Sequence, residues 1–165
     1  KRMRHLAVIG LQKGESERCY PTAPTELIRQ LLEALRDMAS YVVIDCSSYI
    51  YFDELSAMSI LEADAVLRLM NCDLKSVSYL SSQQEYLKMG GFDFGKMYKA
   101  VSNVKSSEAS EHMEQVMGSA VFSIPHSLEV ASQVLAGNLF ADLGLKDSRG
   151  YRNEIEKIAR EVFGV

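Results

Sequence analysis

The stretch Ser40-Tyr41-Val42-Val43-Ile44-Asp45-Cys46-Ser47-Ser48 is a short apolar run that ends in one carboxylate and a pair of hydroxyl groups. The run is shorter than a typical helix and rich in β-branched residues, so it is predicted to form a buried strand. An acid at the carboxyl end of such a strand lies at the rim of a parallel sheet, where open α/β folds bind their ligands. The alternative is that Asp45 only caps the following loop, and this stretch alone leaves both interpretations open.

Apolar runs and amphipathic segments alternate along the whole chain. The clearest helix covers 25–38, where apolar side chains recur at helical spacing and charged side chains lie opposite. The same patterns predict strands at 6–10, 41–45, 65–70, 97–102 and 120–124, and further helices at 54–61, 74–89, 107–117, 128–135 and 151–162. Buried strands joined by amphipathic helices predict an α/β fold, with a mostly parallel sheet and helices on both faces, in a single domain over 1–165.

Local signals predict where several of these helices begin and end. Asp53 precedes the helix at 54–61 and is expected to be its N-cap. Gly90-Gly91 is expected to end the helix after Met89, and Gly137 to end the helix after Leu135.

Composition restricts the class of protein. The net charge of −4 does not favour a basic nucleic-acid-binding module, although it leaves a local basic patch open. The apolar runs fall short of the roughly 20 residues that span a bilayer, and no secretory signal is visible. Three cysteines without a Cys-x-x-Cys pair suit reduced thiols better than a disulfide frame or a zinc site. We therefore expect a cytoplasmic protein without a metal cluster.

Polar side chains follow several of the predicted strands. Asp45 with its neighbouring hydroxyls is a candidate to hold Mg²⁺ through water, because this ion prefers oxygen ligands and keeps part of its hydration shell. Asn103 offers an amide donor and an acceptor, which suits the edge of an amino-heterocycle, although an asparagine after a strand is more often a turn residue. Cys46 is not favoured as a nucleophile, since the adjacent negative charge opposes thiolate formation.

Four segments occur in an order that resembles a known family. They are Tyr-Val-Val-Ile-Asp-Cys-Ser-Ser (41–48), Leu-Ser-Ala-Met-Ser-Ile-Leu-Glu-Ala-Asp-Ala-Val (55–66), Ala-Val-Ser-Asn (100–103) and Ile-Pro-His-Ser (124–127). Their order and spacing resemble the C-terminal half of the MinD/ParA-type deviant-Walker P-loop ATPases. The residues after Asp45 resemble those of the CpaE/TadZ-like pilus-localisation branch. The resemblance covers nearly the whole chain, from about Leu6 to Val162.

The resemblance implies a P-loop NTPase-like fold, the cofactors ATP or ADP with Mg²⁺, and roles for particular residues. Asp45 would be the Walker B acid, a catalytic residue that holds the magnesium-bound water. Ser47 and Ser48 would lie in the switch region beside the γ-phosphate, and Asn103 would bind the adenine ring. The other residues that the resemblance places in the base pocket are Pro125, His126 and Ser127.

The chain departs from the family at two places. Cys46-Ser47-Ser48 follows the Walker B position, where the family commonly has proline or glycine. No loop of the form Gly-x-x-x-x-Gly-Lys-Ser/Thr occurs, and without its amides and lysine the chain is expected to bind adenine but not to hydrolyse ATP. The chain begins with Lys1 rather than Met. We therefore expect it to be the C-terminal part of a larger ATPase domain, with ATPase activity only if a phosphate loop lies outside it.

A geometric expectation distinguishes such a fragment from a self-contained fold. In the family's sheet, the strand before the phosphate loop lies between the strands at 41–45 and 65–70. An empty slot there leaves two rows of backbone hydrogen-bonding groups unpaired. We therefore predict that another strand occupies the slot, whereas direct pairing of the two strands at about 4.8 Å would oppose the fragment interpretation.

Two functional hypotheses follow. The first is the C-terminal portion of an ATP-binding switch protein that positions a cellular cargo, namely partition, division, or pilus and secretion machinery. The alternative is a degenerate, non-hydrolysing relative that acts as a protein-interaction or dimerisation domain. The expected partners are a second copy of the chain and a protein cargo or regulator. No stable membrane anchor is expected in the last helix, because its acidic and basic side chains balance.

Overall fold

The computed structural model describes residues 5–16, 19–105 and 122–164. The helices are α1 (Thr25–Met38), α2 (Glu54–Glu62), α3 (Leu74–Met89), α4 (Leu128–Ala136) and α5 (Arg149–Phe163). The strands are β1 (Val66–Asn71), β2 (Met97–Val104) and β3 (Phe122–Pro125), and short 3-10 turns cover Phe94–Lys96 and Lys146–Ser148. The predicted helix at 107–117 and the first two residues of the predicted strand at 120–124 lie outside the described residues.

The sheet is parallel and has the strand order β1-β2-β3. Val66 pairs with Met97 at one end of β1, and Asn71 pairs with Ser102 at the other. The two strands therefore run side by side over the whole length of β1. The predicted α/β class with a parallel sheet is confirmed.

Helices cover both faces of this sheet. Ala100 and Val101 are consecutive residues of the central strand, so their side chains point to opposite faces. Val101 packs with Met70 and with Val77 of α3. Ala100 packs on the other face with β3 and with Ile158 of α5. The prediction of helices on both faces is therefore confirmed.

A further apolar cluster lies at the amino ends of β1 and β2. Its buried residues are Ile50, Ile60, Leu87 and Phe92. Val66 and Met97, the first residues of the two strands, pack against it. The loop before α2 is therefore attached to the end of the sheet opposite the carboxyl edge.

The predicted helix boundaries agree with the structure. Asp53 caps α2, since its side chain accepts a hydrogen bond of 3.2 Å from the backbone nitrogen of Ser56. Gly137 ends α4 with a φ of 65°, a left-handed conformation that glycine adopts without steric cost. Helix α3 ends at Met89, immediately before Gly90.

The predicted buried strand at 41–45 is wrong. The segment forms neither strand nor helix, and the side chain of Val43 is 78% exposed. The predicted strand at 6–10 is also wrong, because it is unpaired and Val8 is exposed. Strand propensity reflects packing against neighbouring strands more than an intrinsic backbone preference. Neither apolar run has a neighbouring strand in the described part of the chain, and neither is assigned to the sheet.

In the sheet formed by the described residues, β1 is an edge strand. Among the described residues no strand pairs with its outer edge, so the prediction that another strand fills this slot is wrong for that part of the chain. Residues 41–45 do not pair with β1 either. Direct pairing of these two segments, which would oppose the fragment interpretation, is therefore absent from the described sheet. The fragment interpretation stays a prediction.

Contacts divide the chain into two compact units, Lys1–Ser40 and Tyr41–Val165. The first contains α1, in which Ile28 and Leu32 are buried. The second contains the sheet and its three apolar clusters. The single domain expected over 1–165 stays a prediction.

Candidate functional site

The carboxyl edge of the sheet contains a distorted residue, Asn103. Val101 pairs with Ser123 and Val104 with Pro125, so two residues of β2 lie opposite one residue of β3. This is the pattern of a β-bulge. Asn103 has a φ of 59°, and no other described residue except glycine has a positive φ. Such a conformation costs roughly 1–2 kcal/mol outside glycine, and asparagine tolerates it better than most residues.

His126 holds the side chain of Asn103. Its Nδ1 atom lies 2.6 Å from Oδ1 of Asn103, and its backbone nitrogen donates to the carbonyl oxygen of Val104 at 2.9 Å. Because an amide oxygen only accepts, Nδ1 carries the proton in this hydrogen bond. In the neutral imidazole Nε2 is then an acceptor. No hydrogen bond within the described residues engages Nδ2 of Asn103, which carries two protons and is a donor.

The ends of β1 and β2 are joined by a second polar group. The Ser102 hydroxyl lies 3.2 Å from the carbonyl oxygen of Met70 and 3.4 Å from Oδ1 of Asn71. Asn71 and Ser102 are register partners on the two strands. Consecutive residues 102 and 103 of the bulge thus bring a hydroxyl and an amide to one edge of the sheet.

Ser127 has a structural role in the fold. Its Oγ accepts a hydrogen bond of 3.2 Å from the backbone nitrogen of Val130, which caps α4. The same atom lies 3.0 Å from Oγ of Ser148, and both serines are buried. The neighbouring Pro125 is half-buried at the end of β3. Of the three residues predicted to line a base pocket, His126 is the one whose side chain contacts Asn103.

Glu129 secures the loop that follows α4. Its two carboxylate oxygens accept hydrogen bonds from the backbone nitrogens of Gly144 at 2.8 Å and Leu145 at 3.1 Å. The hydroxyl of Ser148 is the largest influence that holds the pKa of Glu129 below its usual value, and the two backbone donors act in the same direction. The carboxylate form is therefore the one that this loop stabilises.

Ser47 and Ser48 use their polar atoms within the protein. Oγ of Ser47 accepts from the backbone nitrogen of Tyr49 at 3.0 Å. The carbonyl oxygen of Ser48 accepts from Nε2 of Gln83 at 2.7 Å and from the Tyr79 hydroxyl. These contacts attach the segment after Asp45 to α3.

Asp45 is not joined to the Asn103–His126 pair. Its side chain is exposed, and in the described part of the chain it forms no hydrogen bond or ion pair with either residue. Cys46, the next residue, packs against the apolar cluster at the amino ends of β1 and β2. Burial raises the pKa of the Cys46 thiol, which suits a packed rather than a nucleophilic cysteine. No described contact therefore joins Asp45 to the Asn103–His126 pair, and the assignment of these residues to one site stays a prediction.

The donor set around Asp45 does not fit a complete Mg²⁺ site. This ion takes six oxygen ligands, several of them water, and is commonly held by one or two carboxylates with substrate phosphates. No group of three or more acidic, histidine or cysteine side chains that would hold a metal occurs among the residues described. The hydroxyl of Ser47 is already engaged by Tyr49. The amide and hydroxyl groups at the carboxyl edge fit a neutral heterocycle better than a cation.

Sequence reasoning missed a polar pair on the α3 face of the sheet. Nη2 of Arg68 in β1 donates to Oε1 of Gln83, and the side chain of Gln83 is only 1% exposed. Burial lowers the pKa of Arg68, although a guanidinium keeps its charge at any ordinary pH. The available signal was a single arginine inside the apolar run Val66–Met70.

Comparison with known proteins assigns no relative to this chain. No family model, no curated protein and no solved structure matches it. Across residues 5–16, 19–105 and 122–164, no helix has both the length and the apolar character needed to cross a bilayer.

Proposed function

We propose that this chain is the C-terminal portion of an ATP-binding switch protein of the MinD/ParA type, with a P-loop NTPase-like fold, and that Asn103 with His126 binds the base. The observation that supports this proposal is the left-handed Asn103 held by His126 at the carboxyl edge of a parallel sheet. Strained residues that the surrounding structure holds in place cluster at ligand sites. Ligands of open α/β sheets bind at this edge.

The hydrogen bond from His126 determines which atoms of Asn103 face the ligand. Since Oδ1 accepts from His126, the Nδ2 protons remain to donate to a ring nitrogen of adenine. In the tautomer that carries its proton on Nδ1, Nε2 of His126 is an acceptor that suits the exocyclic amine of the same base. Adenine presents both an acceptor and a donor, so the pair is matched to it better than to a purely accepting ring edge.

The proposal assigns base binding, and not hydrolysis, to these 165 residues. Phosphate binding in this family needs the amides and lysine of a phosphate loop, and no such sequence occurs among them. Asp45 would contribute to magnesium binding only together with that loop and the nucleotide phosphates. In the proposed protein, the switch would dimerise and position a protein cargo in the cytoplasm.

Titration with adenosine tests base binding directly. Amide chemical shifts of the ¹⁵N-labelled chain are followed while adenosine, or purine riboside, which lacks the exocyclic amine, is added to the wild type and to the Asn103→Gly variant. Glycine accepts the left-handed backbone, so this variant removes the side chain without adding strain. We expect adenosine to shift the resonances of 102–104 and His126, and Asn103→Gly to weaken binding about fivefold, the worth of one hydrogen bond.

The matched control is Asn138→Gly, which removes an exposed asparagine side chain from a loop. It should bind adenosine as the wild type does. Shifts that are the same in wild type and Asn103→Gly, or equal affinity for purine riboside and adenosine, would contradict the proposal.

A second candidate function is a protein-interaction or dimerisation domain without nucleotide dependence. It is favoured by the apolar side chains that the segment 41–52 exposes, among them Tyr41, Val43 and Phe52. Light scattering with and without ATP and Mg²⁺, on a protein that includes the proposed phosphate-loop segment, separates the two functions. A dimer that forms equally in both conditions supports the interaction domain, and a dimer that requires nucleotide supports the switch.

A further inference from the structure

Two aromatic side chains project from one tight turn before α2. The backbone nitrogen of Phe52 donates to the carbonyl oxygen of Tyr49 at 2.9 Å. A turn of this kind places the Cα atoms of its first and fourth residues within about 7 Å of each other. Phe52 is 91% exposed and Tyr49 is 67% exposed. We name Tyr49–Phe52 the aromatic turn.

The two middle residues fix the aromatic turn to the protein. Ile50 is buried in the apolar cluster at the amino ends of β1 and β2. The ring of Tyr51 packs on Tyr86 with 4.4 Å between centroids, and its hydroxyl donates to the carbonyl oxygen of Ser82 at 3.0 Å. Because the backbone is already held, docking onto Phe52 would order few additional groups. Such pre-organisation lowers the entropy cost of binding.

The sequence on either side of the aromatic turn is acidic. Between Tyr41 and Leu67 the chain has five acidic residues and neither lysine nor arginine. The acids are Asp45, Asp53, Glu54, Glu62 and Asp64. Asp45 and Glu54 are exposed, and Asp53 directly follows the turn. The next cation along the chain, Arg68, is half-buried and hydrogen-bonded to Gln83.

We propose that the aromatic turn binds a segment of a partner protein that carries arginine or lysine beside apolar side chains. Aromatic faces attract cations, and exposed tyrosine and phenylalanine also supply apolar contact area. The flanking carboxylates complement a basic partner and repel an anionic membrane surface. Ile50 fixes the turn at the amino ends of the strands, whereas Asn103 and His126 lie at their carboxyl ends. Binding of a partner at the aromatic turn is therefore independent of base binding.

Fluorescence anisotropy with a defined probe tests the proposal on the whole chain. The probe is a short fluorescein-labelled peptide in which arginine alternates with leucine, and the matched peptide has glutamate in place of arginine. We expect the arginine peptide to bind and the glutamate peptide not to bind. Phe52→Ala should weaken binding about tenfold, as truncation of a central aromatic contact does.

Leu135→Ala is the control variant, because Leu135 is also 91% exposed but lies on α4. Truncation at either position removes little buried surface, so both variants should keep the circular dichroism spectrum of the wild type. Equal loss of affinity in the two variants would overturn the proposal. Equal binding of the arginine peptide and the glutamate peptide would also overturn the proposal.

A membrane surface is the competing ligand for the aromatic turn, and sedimentation with lipid vesicles tests it. Vesicles of phosphatidylcholine with phosphatidylserine are sedimented with the wild type and with Phe52→Ala. The proposal expects both proteins to stay in the supernatant. Sedimentation of the wild type that is lost in Phe52→Ala would assign the turn to a membrane surface and overturn the protein partner.

Discussion

The side-chain amide of Gln83 donates a 2.7 Å hydrogen bond to the backbone carbonyl oxygen of Ser48, and its Oε1 accepts one from Arg68. One buried side chain thus connects α3, β1 and the segment that precedes the aromatic turn. Both of its partners lose a hydrogen bond when the amide is removed. Breaking a buried polar contact commonly costs 1–3 kcal/mol, because the remaining groups stay poorly solvated.

The substitution Gln83→Leu should therefore lower the free energy of unfolding by about 2 kcal/mol. Urea titration followed by circular dichroism measures this change. Gln84→Leu is the matched control, since its residue is adjacent on α3 and half-buried but has no hydrogen bond among the described residues. Equal stability of the two variants would mean that the Gln83 contacts contribute nothing to the fold.

At Asn103, backbone strain and side-chain contact can be measured separately. Asn103→Ala and Asn103→Gly both remove the hydrogen bond to His126, but only alanine has a Cβ that opposes the left-handed φ of 59°. Asn103→Ala should therefore unfold more easily than Asn103→Gly by about 1 kcal/mol. Thermal unfolding of the two variants gives the difference. Identical stability would contradict a left-handed residue at this position.

Glu129 gives the loop after α4 a dependence on pH. Contacts from Ser148, Gly144 and Leu145 lower the pKa of its carboxyl group in the folded state. A lowered folded pKa means that the contribution to stability is present above the unfolded pKa and is lost as the pH falls through the folded pKa. We expect the loop to loosen below about pH 4, where an ordinary glutamate is protonated.

Hydrogen exchange at the amides of Gly144 and Leu145 measures this loosening, since both donate to the carboxylate. Glu129→Gln should show reduced protection of these amides already at neutral pH, with little further change in acid. Glu26→Gln, an exposed substitution in the first turn of α1, serves as the control and should leave their exchange unaltered. Protection that is insensitive to both pH and Glu129→Gln would disprove the role of the carboxylate.

Two valines allow the stability contribution of an exposed apolar run to be compared with that of a buried strand. Val43 is 78% exposed, whereas Val101 of β2 is 1% exposed. Val43→Ala should change the free energy of unfolding by less than about 0.5 kcal/mol, as surface substitutions do. Val101→Ala should cost about 2 kcal/mol, from lost burial and the cavity left behind. If Val43→Ala proves as costly as Val101→Ala, residues 41–45 pack as a strand of a larger sheet.

The sequence predicts those features of the fold that depend on neighbouring residues. The cap at Asp53, the end of α3 at Met89 and the stop at Gly137 follow from side chains within a few positions of the boundary. The central strands were also predicted correctly, because amphipathic helices on both sides fix the sheet layers. The runs at 6–10 and 41–45 were not, since a strand needs a partner edge that local sequence cannot supply.

The candidate site was predictable in part for a similar reason. Asn103 lies near the end of β2 and His126 directly follows β3, so their positions at one edge of the sheet come from the topology. The bulge that turns Asn103 toward His126 depends on a register shift between β2 and β3, for which residues 100–103 carry no separate signal. The contact between Arg68 and Gln83 joins a strand to a helix, and no regular spacing in the sequence predicts such a contact. Asp45 was assigned to the site by resemblance. That assignment required residues 41–45 to form a strand of the sheet, and they form none.

The parallel pairing of β1 with β2 has a consequence for folding kinetics. Parallel strands cannot be joined by a tight hairpin, so the first strand pair forms only after the chain has passed through α3. The entropy of closing that crossover is lost before any of the pair's hydrogen bonds is gained. We expect α3 to form first and the sheet to set the rate of refolding, well below that of a helical bundle of equal length.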